Sequence, residues 1–200
     1  MVVIHRDTPE GRASAALVWV SIVLVLGDAV AYLLIIRGQG DAAPDLTATV
    51  DFVAGYMVLM AALLWLSLLD HVRLASLRPA LRAGAAAGLL VLGVLSIVLV
   101  PLVAAGVLAA IAAIRALSGP RRRQRLLSEV ASAVIAVMVL VGGFEVTQRL
   151  ILCPPSGTMG GGGSGFLTGP YQYECVNGTL TMRSGGCNGV TNGNPLPSNC

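Results

Sequence analysis

The chain has 200 residues, of which 56% are hydrophobic and 12% charged, with a mean hydropathy of +0.81 and a formal charge of +3. Water-soluble domains carry roughly 25% charged residues, so an ordinary soluble fold is excluded, and so modest a charge gives nucleic-acid binding no support. All 13 basic residues are arginine, a bias that, with abundant Ala, Gly, Val and Leu, points to high-GC bacterial coding.

The first apolar run, Ala13 to Ile36, follows His5, Arg6 and Arg12. A secretory signal core spans only about 7–15 residues. This run is longer and continues past Ala29-Val30-Ala31, a possible cleavage site, so it is expected to remain as a first span with a cytoplasmic N-terminus. The segment Arg37 to Asp45 holds Gly38, Gly40, Pro44 and two aspartates, the composition of a turn outside the membrane. A second run, Leu46 to Leu69, starts after Pro44 and Asp45 and ends in a basic loop with Asp70, His71, Arg73, Arg78 and Arg82.

Gly84 to Leu117 then stays apolar for about 34 residues, interrupted only by Pro101 and Arg115. As one helix it would be about 51 Å long, against a hydrocarbon core of about 30 Å. Arginines crowd both ends: Arg73, Arg78 and Arg82 before it, Arg115, Arg121, Arg122, Arg123 and Arg125 after it. Since cytoplasmic loops are rich in arginine, both ends belong on one side, and a short hairpin broken at Pro101 is expected rather than one long kinked helix, which would leave four spans. Gly84 and Gly88 form a G-x-x-x-G pair suited to close helix packing. A last run, Ser128 to Leu152, completes five crossings. The fold class expected is therefore an all-α integral membrane protein of five transmembrane helices, residues 1–152, followed by an extracytoplasmic Gly/Cys-rich tail, residues 153–200.

All four cysteines, Cys153, Cys175, Cys187 and Cys200, lie in that tail. An odd number of crossings from a cytoplasmic N-terminus also puts the tail on the oxidising side of a plasma (inner) membrane, where two disulfides are expected, with three pairings open. Residues 156–165 include Gly160 to Gly163, Ser164 and Gly165 and read as a flexible linker. Asn177-Gly178 marks a type I′ hairpin over 171–184, with Cys175 opposite Leu180 and Glu174 opposite Thr181. In that register Tyr171, Tyr173, Cys175, Leu180 and Met182 share one face. Tyr171, Tyr173, Leu180 and Met182 are the candidate partner contacts.

Ionisable residues within spans default to functional hypotheses. Asp28, Asp51 and Glu145 would lie about 12, 7 and 10 Å below the outer ends of their helices. Arg149 stands four residues beyond Glu145, the spacing of an ion pair on one helical face. His5 and His71 are the only histidines and are expected at the cytoplasmic face, opposite the cysteines, so no nucleophile–base set or histidine metal site is expected, and no cofactor. The reading that follows is a non-catalytic membrane protein, an accessory or assembly subunit whose stapled tail contacts a membrane-protein partner or another copy of itself. The alternatives are a small transporter or channel component built on the outer-leaflet acids, and a membrane thiol oxidoreductase, which would need a paired reactive motif that this chain lacks.

Overall fold

The computed structural model describes residues 9–38, 48–69, 77–95, 100–115 and 122–184. Cys187, Cys200 and the expected loops at 39–47, 70–76 and 116–121 lie outside the described residues. Five helices, α1 (Pro9–Gly38), α2 (Thr49–Leu66), α3 (Arg78–Leu95), α4 (Val100–Arg115) and α5 (Arg122–Thr147), are followed by three strands, β1 (Thr158–Gly165), β2 (Gly169–Val176) and β3 (Thr179–Ser184). Contacts divide them into a helical unit, 1–43 with 53–140, and a sheet unit, 44–52 with 141–200.

In the helical unit, prolines stand where helices begin. Pro9 opens α1, Pro79 is the second residue of α3 and Pro101 the second of α4; a first-turn proline gives up an N–H that has no partner in the helix anyway. This corrects the expected break. Pro101 stands inside α4, one residue after its start at Val100, instead of separating the pair; α3 is described to Leu95, and residues 96–99 lie outside the described residues. Arg78 and Arg82, expected in a loop, form the first turns of α3.

The hairpin itself is present. A Cβ placed on Gly93 would meet Val103, and one on Gly106 would meet Leu90, so the contacts run in opposite directions along α3 and α4. Gly84 abuts Ser132 of α5, and Gly88 abuts Tyr56 and Met60 of α2. Small residues thus sit at helix crossings, where a missing side chain lets backbones approach. The core between them holds Val18, Val25, Met57, Leu64, Leu89 and Leu102.

Several polar groups tie the helices. Tyr56 Oη donates to Ala136 O at 2.9 Å, and Ser21 Oγ lies 2.9 Å from Leu17 O and 3.2 Å from Ala105 O. Arg82 donates to Ser14 Oγ at 3.0 Å and Ser67 Oγ at 3.2 Å, joining α1, the end of α2 and α3. Trp19 and Trp65 meet edge to face at 5.0 Å.

Among the described residues, four helical segments are long and apolar enough to cross a membrane: Ala13–Gly38, Thr49–Leu66, Arg78–Leu95 and Leu126–Thr147. The described part of α4 has 16 residues, about 24 Å, against a core of about 30 Å, and the residues on either side of it, 96–99 and 116–121, lie outside the described residues. Large apolar side chains point outward on every one of the four, among them Val23, Leu34, Val58, Val94 and Ile135. A helix that is apolar on all sides yet mostly uncovered suits a lipid surround, consistent with a membrane location.

The sheet unit is antiparallel in the order β1-β2-β3. Asn177 and Gly178, at φ of 46° and 82°, form the turn between β2 and β3, and Cys175 pairs with Leu180 and Glu174 with Thr181, the register expected from the sequence. The glycine run departs from expectation. Gly160 to Gly163, read as part of a free linker, lies within β1 and pairs residue by residue with Glu174 to Tyr171. The rings opposite explain why so bare a strand holds: a Cβ on Gly161 would lie 2.6 Å from Tyr173 Oη, and one on Gly163 would fall on the ring of Tyr171. The tyrosines occupy the space that glycine leaves, the cross-strand rescue of glycine by aromatic residues.

Candidate functional site

Polar groups of the β1–β2 turn and of the end of α5 converge on Glu145. This residue stands two positions before the end of α5, is 8% exposed, and accepts hydrogen bonds from Leu167 N at 2.5 Å, Thr168 Oγ at 2.7 Å and Gln148 Nε2 at 3.2 Å. Leu167 and Thr168 belong to the three-residue turn between Gly165 and Gly169, which close the β1–β2 ladder. Gly169, at φ of 70°, supplies the left-handed residue that such a turn needs. Two backbone or hydroxyl donors and one amide therefore satisfy a carboxylate that would otherwise be costly to bury.

Tyr171 reinforces the same junction. It is 6% exposed and donates its hydroxyl to Gln148 O at 2.8 Å, while Phe166 meets Phe144 with ring centroids 5.8 Å apart. Burial, with the neighbouring Tyr173, raises the Tyr171 pKa above its ordinary value of 10.0. Near the other end of β2, a disulfide joins Cys153 to Cys175, whose Cα atoms are 5.5 Å apart. Cys175 is fully buried, so the bond serves as a staple with one sulfur withheld from any exchanging thiol.

Of the four residues expected at membrane depth, Asp28 belongs to the helical unit and Asp51, Glu145 and Arg149 to the sheet unit. Glu145 is engaged by the turn and by Gln148, and among the described residues no ion pair joins it to Arg149, which is exposed. Asp51 is exposed in the first turn of α2, where an acid favours the helix N-terminus. Asp28, in the helical unit, is half-buried, and its Oδ2 has no hydrogen-bond partner among the described residues. Among the candidate partner contacts, Tyr171 is turned inward, whereas Leu180 and Met182 are exposed, at 37% and 39%, on strand β3.

Sequence reasoning missed Gln148 and Thr168 as partners of Glu145. Gln148 was legible at three residues from Glu145 on one helix face. Gly165 and Gly169, bracketing Phe166-Leu167-Thr168, marked a hairpin turn, but nothing local ties it to Glu145.

The opposite, polar face of the sheet holds an open concavity of about 510 Å³ over Gly160 and Gly162, walled by Gln172, Glu174, Thr181 and Arg183. Among the described residues, no three His, Cys, Asp or Glu side chains are grouped as metal ligands. No family model, no curated protein and no solved structure matches this chain.

Proposed function

We propose that the chain is a five-span protein of the plasma membrane that works without catalysis, as an accessory or assembly subunit, with its sheet unit on the oxidising side as the contact for a membrane-protein partner. The observation that carries the partner contact is the strand β3, which among the described residues pairs with β2 alone and exposes Leu180 and Met182. A strand edge with apolar side chains invites another chain. The disulfide supports the side assigned to the tail, because such bonds persist in oxidising compartments. Arg82 and the Trp19–Trp65 pair, near Ser14 and Ser67, support a basic, aromatic end of the helical unit at the cytoplasmic interface.

A photoreactive amino acid at Met182 tests the contact in intact cells. One discrete adduct from Met182, absent when the probe stands at Thr181 on the opposite face, is the expected result; no adduct from either position contradicts it. A second reading, a transport component, is favoured by the buried Oδ2 of Asp28, which has no hydrogen-bond partner among the described residues. Proton-coupled flux in liposomes that Asp28→Asn abolishes would establish that reading in place of the first.

A further inference from the structure

The turn between β1 and β2 exposes two large apolar side chains side by side, Phe166 at 54% and Leu167 at 78%. Their backbone is held against α5: Leu167 N and Thr168 Oγ both donate to Glu145, and Phe166 packs on Phe144. The candidate span Leu126–Thr147 has 22 residues, about 33 Å, against a hydrocarbon core of about 30 Å. Thr147 therefore falls at the edge of the hydrocarbon, with Glu145 two residues, about 3 Å, inside it, and the turn is held on that carboxylate.

We infer that Phe166 and Leu167 form a wedge in the outer leaflet, so that the sheet unit is anchored on lipid as well as on α5; this rests on the membrane-spanning reading given above. Irregular backbone survives at membrane depth only where its polar groups have partners in the protein, and Glu145 supplies partners to this turn. Val146, Leu150 and Leu152, at the end of α5 and just beyond it, are exposed as well. Glu145 thus sets the depth of the wedge, and lipid is its occupant.

The full chain in phosphatidylcholine vesicles, with lipids brominated either near the headgroup or at the chain ends, tests this by tryptophan quenching. Native Trp19 and Trp65 report on the helices, and Leu167→Trp adds a reporter in the turn while keeping the N–H that Glu145 accepts. The expected result is that the native tryptophans are quenched in the parent, and that the added emission is shifted to the blue and quenched more by bromine near the headgroup. Added emission quenched by aqueous iodide and not by lipid would overturn the wedge while leaving the spanning reading intact. Added emission shielded from both would mean that a protein covers the turn, and would also overturn it. Native tryptophans untouched by either lipid would overturn the spanning reading and the wedge together. Should Leu167→Trp fail to fold, a photoactivatable phosphatidylcholine on the parent decides: label on the peptide holding Phe166 and Leu167 supports the wedge, and label confined to the helices overturns it.

Discussion

Glycine serves opposite ends in the two units. At Gly84, Gly88, Gly93 and Gly106 of the helical unit, a neighbouring helix occupies the space where a Cβ would stand, so the missing side chain is what lets the helices close. At Gly161 and Gly163 of the sheet unit, the space is filled by Tyr173 and Tyr171 of the paired strand. The helical unit therefore fails when a side chain is added, and the sheet unit when one is taken from the strand opposite. The same residue type marks a packing interface in one place and a dependent strand in the other.

The sharpest way to break this contrast is Tyr171→Ala. Truncating a buried aromatic residue costs about 3–5 kcal/mol, and here it also uncovers Gly163 and removes the bond to Gln148 O. Loss of the sheet with undiminished helical circular dichroism is the expected outcome; an intact sheet would show that the rings do not hold β1.

Next in size is the staple. Closing a loop over a sequence separation of 22 residues contributes about 3 kcal/mol in the chain-entropy view, so Cys153→Ser with Cys175→Ser should lower the thermal midpoint of the sheet unit and leave that of the helices in place. Coincident loss of both would erase the distinction between the units.

Smaller effects separate glycines within the helical unit. Gly88→Ala, which drives a methyl into Tyr56 and Met60, should cost about 1–3 kcal/mol in detergent unfolding. Gly27→Ala, with open space around it, should be neutral or gain up to about 1 kcal/mol from helix propensity. Equal effects at the two sites would mean that glycine acts through backbone freedom alone.

The smallest effect is alkaline. Because the folded state raises the Tyr171 pKa above 10.0, the unfolded chain releases that proton first, so stability is full below about pH 10 and falls as pH rises from there through the folded value. Tyr171→Phe should flatten that part of the pH profile of sheet melting.

Much of this arrangement was legible, and the two long-range misses share a cause. The apolar runs marked the helices, and Asn177-Gly178 fixed the β2–β3 register, because these signals act over a few residues. The pattern around Pro101 does not choose between a proline that ends one helix and a proline that begins the next, and Pro101 stands in the first turn of α4. Gly160 to Gly163 read as a linker because composition registers flexibility in one segment and not the tyrosine rings of the strand opposite. Glu145 was matched with Arg149 four residues on, whereas two of its partners, Leu167 and Thr168, lie 22 and 23 residues away. Both long-range errors concern what a residue meets across the fold.

Amide hydrogen exchange over residues 158–165, on the oxidised full chain, tests the glycine contrast most directly. Protection of that stretch comparable to β2, lost on Tyr171→Ala while α2 and α3 stay protected, is the expected result. Exchange as fast as an unstructured peptide in the parent protein would contradict it, and return the glycine run to a linker.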